Sequence, residues 1–93
     1  MVEKRREQDL DSISDSVLEI IAELKPELAG IQKDSNLQAS GIDSLAIVNL
    51  IVALEARFDV QFSSNRINAK NFSTINCISK SLLMEIFSGT QSD

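Results

Sequence analysis

The sequence predicts an all-α protein: a small four-helix bundle of three principal helices plus one short helix. Three observations predict it. Apolar residues recur at helical spacing over residues 10–28, 44–58 and 75–87. Nothing alternates long enough to make a convincing strand, since Val60-Gln61-Phe62 is too short. Pro26 and stretches rich in Gly, Ser, Asn and Asp separate the periodic segments.

Residues 1–9 are mostly charged and polar and are read as a flexible lead-in. The domain itself is placed at 10–88, with 89–93 as a tail. In the first helix Leu10, Ile13, Val17, Ile20, Ile21, Leu24 and Leu28 follow helical spacing. Asp11, Asp15, Glu19 and Glu23 form the opposite face, read as solvated, with a docking role as the alternative. Pro26 disfavours the helical conformation at Lys25, so the helix is expected to finish near Leu24 or run raggedly to Leu28. Residues 29–43 have no periodicity and read as a long loop, pinned to the core by Ile31, Leu37 and Ile42. Loops of this length in a small domain are more often functional than decorative.

The second helix runs from about Ser44 to Phe58. Its apolar residues fall in two stripes. Ile47, Leu50, Ile51, Leu54 and Phe58 must face the core. Leu45, Val48 and Val52 lie nearly opposite, either under the preceding loop or as a contact surface for partners. A short helical turn is expected around Asn65–Ala69, with Ser64 as its cap. Ser73 or Thr74 then caps the last helix, whose core face is Ile75, Ile78, Leu82, Leu83, Ile86 and Phe87. Gly89 suits its C-terminal stop.

Composition narrows the function. Ninety-three residues make one domain, too small for a separate catalytic lobe. A formal charge of −5 argues against nucleic acid as a partner. No run approaches a membrane span or a secretory signal, and a lone Cys77 fits a reducing compartment, so the expected location is the cytoplasm. The chain has no His, Trp or Tyr. It cannot build a Ser-His-Asp or Cys-His arrangement, and a metal site is improbable with one Cys and no His. No catalytic residue and no metal ligand is assigned. Cys77 reads as an inert, partly buried thiol, because nothing beside it in sequence would lower its pKa.

One serine stands apart. Ser44 sits at the mouth of the second helix, where Ser and Asp are favoured because their oxygens accept hydrogen bonds from first-turn N–H groups. That end of the helix also carries partial positive charge and suits an anionic group such as a phosphodiester on the hydroxyl. Without a base in the chain, Ser44 is an unactivated alcohol that needs an outside enzyme.

The pattern Gly41-Ile-Asp-Ser-Leu45, then Leu50, Ala53-Leu54-Glu55 and Arg57-Phe58-Asp59-Val60, resembles the acyl and peptidyl carrier protein family. Asn71-Phe72-Ser73-Thr74-Ile75 is similar to that family's entry into its final helix, so the resemblance spans about residues 10–88. It implies that a phosphopantetheinyl transferase esterifies Ser44 with 4′-phosphopantetheine from coenzyme A, and that Asp43 assists that enzyme. It implies that acyl or aminoacyl groups ride the arm as thioesters, supplied by a loading enzyme and passed to downstream synthase or tailoring enzymes. Leu45, Val48 and Val52 would be the docking surface, and Phe72 would lie beside the arm or line the cargo, the other reading being a core aromatic.

One departure from the family's pattern is informative. Residues 43–59 hold three acids (Asp43, Glu55, Asp59) and one base (Arg57), a net of −2, with Ala46, Asn49 and Ala56 where primary fatty-acid carriers often place acids. Docking should rest more on apolar fit than on charge steering. The expectation is a discrete, monomeric carrier of polyketide or nonribosomal-peptide biosynthesis, with the cargo left open. The rival is a non-covalent helical adaptor that binds partners through the outer face of the second helix, with Ser44 only a cap.

Overall fold

A computed structural model describes the chain from Asp9 to Gln91, with side-chain surroundings as far as Phe87. Most of the expected lead-in and residues 92–93 of the expected tail lie outside the described residues. Helix α1 spans Leu10–Leu24. Its Ile13, Val17, Ile20 and Ile21 are all buried, and each contributes about 1.5–3 kcal/mol by leaving water. Asp11, Asp15, Glu19 and Glu23 face solvent as expected. Two of them tie α1 to other parts of the chain. Asp15 accepts from Lys33 Nζ at 2.6 Å, and Glu19 accepts from Arg57 Nη2 at 2.8 Å. The helix ends before Lys25, held extended at φ −138°, and Pro26 opens a 3₁₀ turn, Pro26–Leu28.

Helix α2 spans Ser44–Phe58 and helix α3 Ile75–Gln91. Both pack on α1 and less on each other. One core results, with Leu50 and Leu54 of α2, Ile75, Ile78 and Leu82 of α3, and Leu37 and Ile42 of the loop meeting the α1 stripe. Asp59 stops α2 by entering the left-handed region at φ 56°, a conformation Asp tolerates better than most residues. Thr74 is the cap of α3: its Oγ1 accepts the Cys77 N–H at 3.0 Å.

Three expectations are corrected. The short helix around Asn65–Ala69 does not form, and the described residues make three helices rather than four. That stretch holds only a three-residue 3₁₀ turn, Ser64–Arg66, preceded by Ser63 in the cap position rather than by a Ser64 cap. Local asparagine bonds compete with a helix there. Asn68 Nδ2 donates to Asn65 O at 3.2 Å, and Asn71 N donates to Asn68 Oδ1 at 2.8 Å. Gly89 does not end α3, which continues to Gln91, since one interior glycine costs only about 1 kcal/mol. Phe87 is exposed rather than in the core, whereas Ser79, Ser81 and Glu85 of the same helix are buried.

Candidate functional site

The start of α2 is built by two adjacent residues with different tasks. Asp43 is the N-cap, in extended conformation, and its Oδ1 accepts the Ala46 N–H at 2.9 Å. Ser44 is the first helical residue and not the cap, which corrects the sequence expectation. Its side chain is released from capping: among the described residues none hydrogen-bonds the Ser44 hydroxyl, and the residue is exposed. Ile47 N bonds Asp43 O at 3.0 Å, the first intrahelical bond. The N–H groups of Ser44 and Leu45 are left without an intrahelical acceptor, beside a serine oxygen at the positive end of the helix.

The loop before α2 delivers this pair. Asn36 Oδ1 accepts Ala39 N at 2.7 Å, and Ile42 N returns to Leu37 O at 3.0 Å, so residues 36–42 wind into a tight turn. Gly41 closes it at φ 109°, a region that side chains disfavour. Leu37 N donates to Ser73 O at 2.8 Å, and Asn76 N donates to Lys33 O at 3.0 Å. These bonds stitch the loop to the entry of α3. Leu37 and Ile42 are buried and Ile31 is half-buried, so the expected pins hold.

The outer stripe of α2 stays uncovered. Leu45 is 69% exposed, Val48 53% and Val52 60%. The loop does not fold over Leu45. Three apolar side chains thus stand in water on one helix face, next to Ser44.

Beside Ser44 a cleft of about 320 Å³ opens between α2 and the segment that leads into α3. Ile42, Ile47, Val48 and Ile51 line one wall, and Ile67, Asn68, Ala69 and Phe72 the other, with Asp43 and Ser44 at its edge. Phe72 is only 5% exposed, so it does not belong to an outer docking surface. It packs edge-on against Phe62, with ring centroids 5.3 Å apart, and contributes to the wall of the cleft.

Cys77 departs from its sequence reading. Hydrogen bonding from Thr74 and then Ser73, whose Oγ lies 3.6 Å from Cys77 Sγ, lowers the thiol below its ordinary value, with Lys80 adding to the effect. Those partners are three and four residues away and meet the thiol only once α3 is wound. Glu85, buried on α3, was not singled out from the sequence either, because a glutamate at that position reads as solvated. Among the described residues no cluster of three or more His, Cys, Asp or Glu could hold a metal ion, and no helix is long and apolar enough to cross a membrane.

Known proteins match this arrangement. The family described as Phosphopantetheine attachment site matches residues 15–80, which include Ser44 and the whole of α2. An aminoacyl carrier protein of Agrobacterium fabrum (strain C58 / ATCC 33970) is 33% identical over 66 residues, covering 68% of this chain and 80% of that protein. No solved structure matches significantly. A histidine-free helical domain with a free serine hydroxyl at a helix start, matched by that family over most of its length, belongs to the phosphopantetheine-attachment family as a non-catalytic carrier protein whose cofactor is covalently attached 4′-phosphopantetheine.

Proposed function

We propose that Ser44 is the attachment residue and that the chain carries aminoacyl groups for partner enzymes in specialised-metabolite biosynthesis, of the nonribosomal-peptide or polyketide kind. The observation that carries the assignment is the exposed Ser44 hydroxyl, which no described residue hydrogen-bonds, at the first position of α2 and at the edge of an apolar cleft. The bound arm supplies a terminal thiol that holds its cargo as a thioester. The chain's own residues do the rest. Asp43 holds the first turn of α2 in place, so the Ser44 oxygen presents itself to an incoming transferase. As that enzyme's base takes the proton, the oxygen attacks the pantetheine-side phosphorus of coenzyme A, the pyrophosphate bond breaks and adenosine 3′,5′-bisphosphate leaves. The unpaired N–H groups of Ser44 and Leu45 stabilise the phosphodiester that results. The cleft walls shelter apolar parts of the cargo between encounters, and Leu45, Val48 and Val52 receive the partners. The low charge of α2 supports docking by apolar fit, and tethering raises the local concentration of cargo at each docked enzyme.

The name of the Agrobacterium relative supports aminoacyl over acyl cargo, the choice that the residues leave open. Intact-protein mass spectrometry after incubation with coenzyme A and a broad-specificity phosphopantetheinyl transferase tests the attachment site. The wild-type chain is expected to gain one phosphopantetheinyl group and Ser44→Ala to gain none. A gain that survives in Ser44→Ala moves the arm to another residue. Failure of the wild-type chain to be modified returns the non-covalent adaptor reading.

A further inference from the structure

Glu85 is 5% exposed on α3, an unusual place for a carboxylate unless it is held by partners. Its Oε2 accepts the Ser63 N–H at 2.8 Å and lies 2.7 Å from Arg66 Nε. The Arg66 Nε–H is not aligned for a hydrogen bond, so that second contact is ionic rather than directional. Glu55 of α2 acts in parallel, accepting the neighbouring Phe62 N–H at 2.9 Å. Consecutive backbone N–H groups of one strap are thus gripped by carboxylates from two helices. Among the described residues, these bonds and a weak one from Arg66 Nη1 to Met84 Sδ at 3.6 Å are the hydrogen bonds that join residues 61–72 to a helix.

The same strap is a wall of the cleft. Asn71 Nδ2 donates to Arg66 O at 2.9 Å, and the Phe62 ring meets the Phe72 ring edge-on. The grip at Glu85 therefore passes through Arg66, and through Ser63 and its neighbour Phe62, to Phe72 and Ile67, which face Ile47 and Ile51 of α2 across the cleft. The strap's own regular structure is a three-residue 3₁₀ turn, too little to hold that wall by itself. We propose that Glu85 is a positioning residue that latches this strap, and so sets how firmly the cleft shelters the group carried on the arm. The proposal rests on the reading of Ser44 and the cleft given above.

Hydrogen exchange on the full chain, with and without Glu85→Gln, tests the latch. Glutamine keeps an oxygen for the Ser63 N–H but removes the charge, and losing one charge-assisted contact is expected to speed exchange across residues 61–72 about tenfold. Exchange in α1 should stay unchanged. The phosphopantetheinylated chain loaded with leucine provides the second readout: hydroxylamine should cleave the thioester faster in the variant than in wild type. Unchanged strap exchange, or acceleration spread evenly over all helices, overturns the latch. Faster strap exchange with unchanged cleavage also overturns it, because the wall would then not govern the cleft. Wild-type cleavage as fast as that of a free pantetheine thioester overturns the sheltering role of the cleft instead, whatever the exchange shows. Should Glu85→Gln fail to fold, Arg66→Gln removes the ionic contact from its more exposed partner and is read by the same two measurements.

Discussion

Asp43 and Ser44 divide between them what one residue could not do. An N-cap side chain is committed to a backbone N–H, and a serine used as the cap would have its oxygen engaged. With Asp43 Oδ1 on the Ala46 N–H, the Ser44 hydroxyl is not taken up by capping. Asp43→Ala is therefore expected to lower stability by about 1 kcal/mol, while Asp43→Asn keeps most of it because the amide oxygen still accepts. Ser44→Ala should leave stability nearly unchanged. Urea unfolding of the three variants checks this; a Ser44→Ala loss as large as that of Asp43→Ala would mean that the serine is the cap after all. The Asn variant also separates the two roles of Asp43, since slower modification with unchanged stability would assign the carboxylate a part in the transfer step.

At the scale of the element, α2 is amphipathic on both sides, with a stripe that builds the core and another that the rest of the domain leaves in water. Leu50, Ile51 and Leu54 are buried, and Leu45, Val48 and Val52 are more than half exposed. Among the described residues, α1 packs against both other helices and no element covers the outer stripe. A partner enzyme can bury it. Val48→Asp and Val52→Asp are expected to slow transfer to downstream enzymes by about tenfold or more, the effect of losing one well-buried interface side chain. Helical content by circular dichroism should not change, because both positions are exposed in the free protein. Transfer at the wild-type rate would remove this face from the interface.

The whole molecule holds its site by a loop that behaves as part of the core. Leu37 is fully buried in a stretch without regular structure, and its N–H bonds Ser73 O at the entry to α3. Through it the loop before Ser44, the strap beside the cleft and the last helix share one anchor. Leu37→Ala is expected to cost about 2–5 kcal/mol, as for a leucine deep in a helix, and thermal unfolding measures it. A cost below 1 kcal/mol, the value for an ordinary surface loop, would show that the anchor is not shared.

Much of this was legible before any coordinates. The periodicity of Ile13, Val17, Ile20 and Ile21 placed α1 on the core, Pro26 placed its end, and the contrast between Leu50-Leu54 and Val48-Val52 placed the two faces of α2. Ser44 stood out because a chain without histidine leaves a serine at a helix start only an outside enzyme to activate it. These features depend on residues a few positions apart, and local chemistry fixes them. What the sequence could not decide involves groups brought together across the fold or through competing local bonds. The Asn65–Ala69 stretch reads as helical until amide side chains there take the backbone for themselves, Gly89 reads as a stop until α3 extends past it, and Phe87 reads as a core residue but is exposed. Phe72 lines a cleft only because α2 and the strap stand apart, and Glu85 reads as solvated until Ser63 and Arg66 close over it. The sequence by itself determined the three principal helices and singled out Ser44 at the start of the second. Tertiary packing alone decided what surrounds that serine, because burial and charge pairing depend on neighbours distant in the chain.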